Sequence, residues 1–162
     1  MIFKTFWRNK NKKQDKKTET INPLDSFKYK TAIETRFADF DMLGHVNNAV
    51  YFTYLEIARA KYWNQAIQWD WKKTGVVIAQ ASLDYILPVF IEDKISMYVR
   101  TSKIGNSSFD LEYILVKLIQ DKEEICNRGK TTCVAFDYAT KRSFPIPQEE
   151  RERMITFEQL QF

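Results

Sequence analysis

The residues best suited to chemistry lie in one short stretch, DMLGHVNN, which spans residues 41–48. It begins with Asp41, a carboxylate that can act as a general base or as a nucleophile. It also contains His45, the single histidine of the chain, which lies close enough in sequence to hydrogen-bond a substrate, a water or Asp41. Gly44 precedes the histidine, and glycine lets a backbone approach a ligand closely or adopt a positive φ. The stretch therefore predicts a compact catalytic or binding loop.

Two asparagines end this stretch, and asparagine is a good helix N-cap residue. The first N–H groups of a helix lack intrahelical partners, and the helix dipole adds a partial charge of about +0.5 there. If Asn47 is the cap, Asn48 is the first helical residue and its free N–H can stabilise an anionic oxygen; the cap can equally lie one residue later. A plain turn at Asp41 followed by an ordinary helix cap explains the same residues without any chemistry.

A strand and a helix flank the stretch. Alternate positions of residues 29–37 hold aromatic or β-branched residues, which is the period of a β-strand. In residues 49–71 the apolar residues recur with a helical period, without glycine or proline, and predict a buried helix of about five turns. The lysines of KKTG and Gly75 are predicted to end this helix. Glu56 and Arg59 lie one turn apart on it and are spaced to form a structural ion pair.

Everything after Gly75 has the pattern of β-structure until the last residues. Four strands are predicted, within residues 76–89, 93–105, 107–121 and 125–138. Residues 145–160 then predict a short terminal helix, with prolines at its entry and charges in its first turn. Four consecutive antiparallel strands leave one face that only the long helix can cover. The order therefore predicts an α+β fold, with an antiparallel β-sheet wrapped around one long central helix.

Charge divides the chain into two parts. The 162 residues carry a net charge of +4, but residues 1–20 hold seven Lys or Arg and two acids, or +5, and the other 142 residues come to −1. We therefore predict a basic, disordered arm at residues 1–27 and one folded domain at residues 28–162. A nucleic-acid site would depend on the arm alone, so we expect no nucleic-acid partner. Apolar residues among the lysines of residues 1–20 allow weak contact with an anionic membrane surface.

Targeting and redox signals are few. No apolar run typical of a secretory signal follows the first positive charges, and no span is long enough to cross a bilayer. Cys126 and Cys133 lack the spacing of a disulfide framework or of a metal site. With one histidine and two cysteines in the chain, no zinc site is expected. These features predict a cytoplasmic protein.

The stretch RFADFDMLGHVNNAVYFTYLEIARAKYW, residues 36–63, resembles the hotdog-fold acyl-CoA thioesterases of the 4-hydroxybenzoyl-CoA thioesterase-like family. That family places an acid before a glycine, and then a helix that bears a tyrosine and a second acid. The matching residues here are Asp41, Gly44, His45, Asn48, Tyr51 and Glu56. The similarity extends over residues 28–140 and leaves out the basic arm.

The resemblance implies a hotdog fold, two subunits that join their sheets, and active sites at the dimer interface. It implies hydrolysis of an acyl-CoA or acyl-carrier-protein thioester to free acid and thiol, by a homodimer or homotetramer. Asp41 matches the family's catalytic carboxylate, and Asn48 matches the residue whose backbone N–H faces the thioester oxygen. His45 lies near enough to Asp41 to assist the reaction, and Gly44 is expected to admit the substrate. Tyr51 either lines the acyl pocket or packs in the core. No metal is implied, and no cofactor other than the coenzyme A within the substrate.

Several alternatives stay open at the level of sequence. Asp41 can activate a water, or it can attack the thioester carbon and form a mixed anhydride. The same fold can hydrate or dehydrate an acyl thioester, with Asp41 and His45 moving a proton, or it can bind acyl thioesters or lipids without catalysis. Plant acyl-carrier-protein thioesterases share the wording HVNN, but their additional asparagine and acid fall at Leu43 and near Leu87 here. Their catalytic network is therefore not expected.

Overall fold

The computed structural model describes residues 22–160. The predictions of a disordered basic arm and of membrane contact through residues 1–20 fall almost entirely outside the described residues. The part of the arm that is described packs on the domain. A 3₁₀ helix spans Pro23–Ser26, and the side chain of Leu24 lies against Ile114 and Val116 on the outer face of the sheet.

A single antiparallel sheet forms the frame of the described chain. Its strands in chain order are β1 (Tyr29–Ile33), β2 (Gly75–Tyr85), β3 (Ile95–Ile104), β4 (Ser108–Ile119), β5 (Lys122–Asp137) and β6 (Arg142–Ser143). The order across the sheet is β1-β3-β4-β5-β2, and the short β6 pairs with β5. β2 precedes β3 and β4 in sequence but pairs with β5, so it lies at the edge of the sheet.

The helix α1 (Val50–Gln65) covers the inner face of this sheet. Its buried side chains are Tyr51, Tyr54, Leu55, Ala58, Tyr62 and Trp63. They share one hydrophobic core with the inward-facing residues of β3, β4 and β5. The predicted α+β architecture, an antiparallel sheet wrapped around one long helix, is confirmed.

Alternation along the strands decides which side chains face α1. In β3, Ile95, Met97 and Val99 are buried, and the residues between them are partly exposed. β2 departs from this pattern, because most of its residues are exposed although many are apolar. An edge strand with this composition has a surface that β5 alone does not cover.

The central helix is shorter than the sequence predicted. It ends at Gln65, and the chain then turns so that the Trp69 N–H donates to the Trp63 carbonyl and the Trp69 indole donates to the Thr74 carbonyl. The apolar period continues past the end of the helix because Trp69 is buried against Phe109 after the chain has left the helix. The predicted end at residues 72–75 is therefore wrong.

Gly75 begins β2, at a point where no side chain fits. A Cβ there would lie 2.5 Å from the Phe136 carbonyl oxygen and 2.6 Å from the Tyr138 ring. We expect Gly75→Ala to lower the free energy of unfolding by about 1–3 kcal/mol, because the paired strands must move apart. Denaturant unfolding beside Glu124→Ala, an exposed position on β5, measures this change. Equal stability of the two variants would contradict the expectation.

The predicted terminal helix forms as α2 (Gln148–Glu158). Its last residue, Glu158, accepts hydrogen bonds from the Tyr62 hydroxyl at 2.6 Å and from the Thr101 backbone N–H at 3.0 Å. These bonds tie α2 to both α1 and β3. Neither helix of the described residues has the length and apolarity needed to cross a membrane.

Candidate functional site

A tight reversal of the chain brings Asp41 and His45 together. Phe40 and Val46 pair across it as an antiparallel bridge. The Asp41 N–H donates to the His45 carbonyl and the Gly44 N–H donates to the Asp41 carbonyl, both at 3.0 Å. Gly44 has a φ of 81°, which lies in the left-handed region that glycine adopts without strain. The predicted positive φ is therefore observed, and the close approach of Gly44 to a substrate stays a prediction.

The side chains of Asp41 and His45 approach each other at this reversal. Asp41 Oδ2 lies 3.5 Å from His45 Nδ1, and the two side chains are 25% and 32% exposed. Asp41 Oδ1 accepts the Leu43 N–H at 2.8 Å. His45 Nδ1 is also 3.4 Å from the Val46 carbonyl, so the ring makes no short hydrogen bond there. One carboxylate oxygen is thus bound by the backbone, and the Asp41 side chain as a whole is partly exposed.

Asn47 caps the chain as it enters α1. Its Oδ1 accepts the Ala49 N–H at 3.0 Å, and its carbonyl accepts the Val50 N–H at 3.0 Å. Because the second bond spans three residues, the entry is a 3₁₀-like turn. The regular helix therefore begins at Val50, and Asn48 lies in the turn before it rather than in its first turn.

The backbone N–H of Asn48 makes no hydrogen bond within residues 22–160. The Asn48 side chain is exposed, and its carbonyl accepts the Tyr85 hydroxyl at 3.0 Å. A backbone donor without a partner at a helix entry can receive an anionic oxygen. The prediction that Asn48 is the first helical residue is wrong, because Asn48 lies two residues before Val50; its role as a donor to the thioester oxygen stays a prediction.

Tyr51 packs in the core beneath this entry. It is buried, and its ring centroid lies 5.3 Å from that of Tyr85 and 6.1 Å from that of Tyr54. Burial raises the pKa of the Tyr51 hydroxyl to about 12, so the group stays protonated at neutral pH. Packing of Tyr51 is observed, and its contact with an acyl group stays a prediction.

A second aspartate, Asp39, holds the reversal in place. Its carboxylate is buried and accepts the Arg36 N–H, the Arg36 guanidinium and the Tyr54 hydroxyl, all at 2.8–3.0 Å. Burial alone would raise the pKa of Asp39, but the hydrogen bonds from Arg36 and Tyr54 outweigh it and lower the pKa. The Asp39 carbonyl also accepts the Asn47 N–H at 2.9 Å. One residue therefore joins the reversal, the helix entry and α1.

The sequence pattern concealed this role of Asp39. Strand alternation extends through residues 29–37, whereas β1 ends at Ile33 and Phe37–Asp39 forms a 3₁₀ turn. The turn directs the carboxylate inward, towards α1. A signal was present in the spacing of Arg36 and Asp39, which is that of a capping box.

Removing the charge of Asp39 should loosen both the reversal and α1. We expect Asp39→Asn to lower the free energy of unfolding at pH 7 by about 2 kcal/mol, because hydrogen bonds to a charged acceptor are lost. The folded pKa lies below the ordinary 3.8, so the wild type loses this contribution as the pH falls below 3.8 through the folded pKa. Urea unfolding should therefore show that the difference in free energy of unfolding between the wild type and Asp39→Asn is smaller at acidic pH than at neutral pH. A gap that stays constant would contradict this assignment.

Metal ligands and reactive thiols are not found near this site. Within residues 22–160, no group of three or more His, Cys, Asp or Glu side chains is arranged to hold a metal ion. Cys126 and Cys133 are free and buried, and burial raises their thiol pKa values to about 12 and about 11. Such thiols stay protonated and are poor nucleophiles. A reaction without metal or cofactor stays a prediction.

The expected ion pair between Glu56 and Arg59 does not form. Arg59 extends beside α1 instead, with its guanidinium carbon 5.3 Å from the centre of the Trp63 ring and its Nε buried. Glu56 is exposed to solvent. Attraction of the guanidinium to the face of the indole replaces the predicted contact.

Comparison with known proteins gives a consistent family signal. Residues 35–154 match the family model described as the thioesterase-like superfamily. The chain is 30% identical over 131 residues to the uncharacterized protein YsmA of Bacillus subtilis (strain 168), a match that covers 80% of this chain and 87% of YsmA. It is 22% identical over 127 residues to the long-chain acyl-CoA thioesterase FadM of Escherichia coli (strain K12), covering 76% of this chain and 95% of FadM.

A solved structure agrees with this signal. A thioesterase from Thermus thermophilus, crystallised with coenzyme A and Zn, superimposes with a TM-score of 0.74 and 32% sequence identity. The superposition covers 85% of this chain and 99% of that chain. The likeness therefore extends over most of the chain.

Proposed function

The chain belongs to the thioesterase-like superfamily and has its hotdog fold, and from this premise we propose that it hydrolyses an acyl-CoA, or a related acyl thioester, to free acid and thiol. Family membership confirms the resemblance seen in residues 36–63 and supports thioester hydrolysis as the activity. One local observation carries the proposal at residue level. An accessible carboxylate at Asp41 and an unpartnered backbone donor at Asn48 lie at the two ends of a single short loop of the described chain.

We assign the Asn48 N–H as the donor that receives the thioester oxygen. During hydrolysis this oxygen gains negative charge as the tetrahedral intermediate forms. An amide fixed at a helix entry meets that charge with its own dipole and with part of the helix dipole. Removing one such donor from other enzymes costs about 3–4 kcal/mol of transition-state stabilisation, so a single interaction of this kind is large enough to matter.

We assign Asp41 as the general base, with His45 beside it to hold the attacking water. The carboxylate takes a proton from the water while the water oxygen bonds to the thioester carbon. The carbon–sulfur bond then breaks, and the proton passes to the departing thiolate. In the alternative route the Asp41 oxygen bonds to the carbon and releases the thiolate, and water hydrolyses the resulting mixed anhydride. Asp41 Oδ2 and His45 Nδ1 lie 3.5 Å apart and can both hydrogen-bond one water, which supports the route through water.

Release of free thiol from a panel of acyl-CoA esters tests this assignment. We expect Asp41→Asn to lower kcat by about 100-fold or more, because an amide cannot take the proton. Asp121→Asn removes a carboxylate from the turn between β4 and β5 and serves as the matched control, which should keep the wild-type rate. Hydrolysis by Asp41→Asn at the wild-type rate would show that another group is the base.

The same panel separates the remaining functions. Turnover of an enoyl-CoA without release of thiol would support a hydratase on the same fold. Tight binding of acyl-CoA without turnover would support a binding module. Either result would replace hydrolysis as the proposed activity.

For the thiol half of the substrate we propose coenzyme A rather than an acyl carrier protein. FadM is named a long-chain acyl-CoA thioesterase, and the Thermus thermophilus thioesterase was crystallised with coenzyme A. Rates measured with one acyl group on each carrier distinguish the two. The free thiols Cys126 and Cys133 support a reducing compartment, and we propose the cytoplasm.

We propose that two copies of the chain join through the edge of β2, as a homodimer or as a tetramer built from dimers. Within residues 22–160, no strand pairs with the outer edge of β2. Ile78 on β2, Tyr85 at its end and Phe52 on α1 are 40%, 45% and 43% exposed. An apolar strip beside an unpaired edge suits a second copy, because the same strand can pair with itself about a two-fold axis.

Ile78→Lys should dissociate this dimer, because it places a charge in the shared apolar strip. Light scattering should give the dimer or tetramer mass for the wild type and the monomer mass for Ile78→Lys. Ile119→Lys, at a residue that is 42% exposed at the far end of β4, is the matched control and should keep the wild-type mass. A monomeric wild type would rule out the proposed assembly.

A further inference from the structure

A buried lysine interrupts the apolar row on the inner face of β4. The row ends at Lys117, which is only 7% exposed. The residues before it in the row are all buried: Phe109, Leu111, Tyr113 and Leu115. Lysine is almost never this buried unless its charge is paired. The position of Lys117 therefore needs an explanation other than apolar packing.

The ammonium of Lys117 holds the loop between β2 and β3. Nζ donates to the Pro88 carbonyl at 2.9 Å and to Asp93 Oδ2 at 2.8 Å. The same carboxylate oxygen accepts the Phe90 N–H at 2.8 Å, and Nζ lies 5.3 Å from the centre of the Phe90 ring. One charged group thus closes residues 88–93 into a fixed turn.

That turn supports the segment that carries the candidate site. The Val46 N–H donates to the Val89 carbonyl at 2.9 Å, and His45 forms an antiparallel bridge with Phe90. The His45 carbonyl in turn accepts the Asp41 N–H at 3.0 Å. A continuous series of contacts therefore leads from β4 to the proposed base.

We propose that Lys117 and Asp93 are positioning residues for hydrolysis, and that their largely buried ion pair fixes residues 88–93 and thereby the geometry of His45 and Asp41. The catalytic part of this inference rests on the proposed function. Buried ion pairs seldom stabilise a fold more than well-packed apolar residues of similar volume, so stability alone does not account for the pair. Hydrolysis is sensitive to position, because a displacement of about 1 Å at a reacting group can cost about 100-fold in rate.

Two substitutions on β4 separate positioning from loss of stability. Lys117→Met keeps the length of the side chain but removes its charge, whereas Val116→Ala removes buried volume beside Leu24 and Ile114 on the outer face. We expect Lys117→Met to lower kcat for thiol release by about tenfold or more and to change KM by less than about threefold. Val116→Ala should keep the wild-type kcat. Asp93→Asn, which is isosteric, should lower kcat by a smaller factor than Lys117→Met.

Amide hydrogen exchange measures the position of the segment without any need for activity. The Val46 N–H should exchange about tenfold faster in Lys117→Met than in the wild type, whereas the Leu111 N–H in the middle of β4 should keep its rate. If the wild type releases no thiol, the proposed function fails, and exchange at Val46 still decides whether the ion pair holds the segment. Unchanged exchange at Val46, a wild-type kcat in Lys117→Met, or an equal loss of kcat in Val116→Ala would overturn the inference.

Discussion

The buried carboxylate of Asp39 is the contact on which the geometry of the candidate site depends. It accepts hydrogen bonds from Arg36 and from Tyr54 on α1, while the carbonyl of the same residue accepts the Asn47 N–H. Because a buried carboxylate without these donors is costly, the helix and the reversal are held in one relative position. Asp41 and the helix entry are fixed to the core by a residue that is itself buried.

Environment separates the two aspartates of this segment into different roles. Asp39 is enclosed by donors that hold its pKa low, and it acts as a fixed structural anion. Asp41 is two residues away, but its side chain is partly exposed and lies beside His45. The support of that reversal comes from two sides: Asp39 holds it to α1, and the turn closed by Lys117 holds it to the sheet. A small, accessible group held by buried polar contacts on both sides is suited to chemistry that depends on position.

The sequence predicted those features that depend on local period and on the resemblance, and it missed those that depend on tertiary contacts. Alternation located the strands after Gly75, and helical period located α1, because burial on one face fixes both patterns. The same period extended α1 too far, since Trp69 is buried by a turn rather than by a helix. The contacts of Asp39 with Tyr54 on α1 and of Lys117 with Asp93 in the loop before β3 were not predicted, because these partners lie far away in sequence. No local pattern reports such distant partners, although a lysine in an apolar row of β4 was a readable signal.

A crystal structure of Asp41→Asn with an intact acyl-CoA is the measurement that tests most directly whether the side chain of residue 41 and the Asn48 amide converge on one carbonyl. The thioester oxygen is predicted to lie about 3 Å from the Asn48 backbone nitrogen, with the substituted side chain facing the thioester carbon. A thioester oxygen held by another donor, with the Asn48 N–H directed away from the substrate, would contradict this assignment.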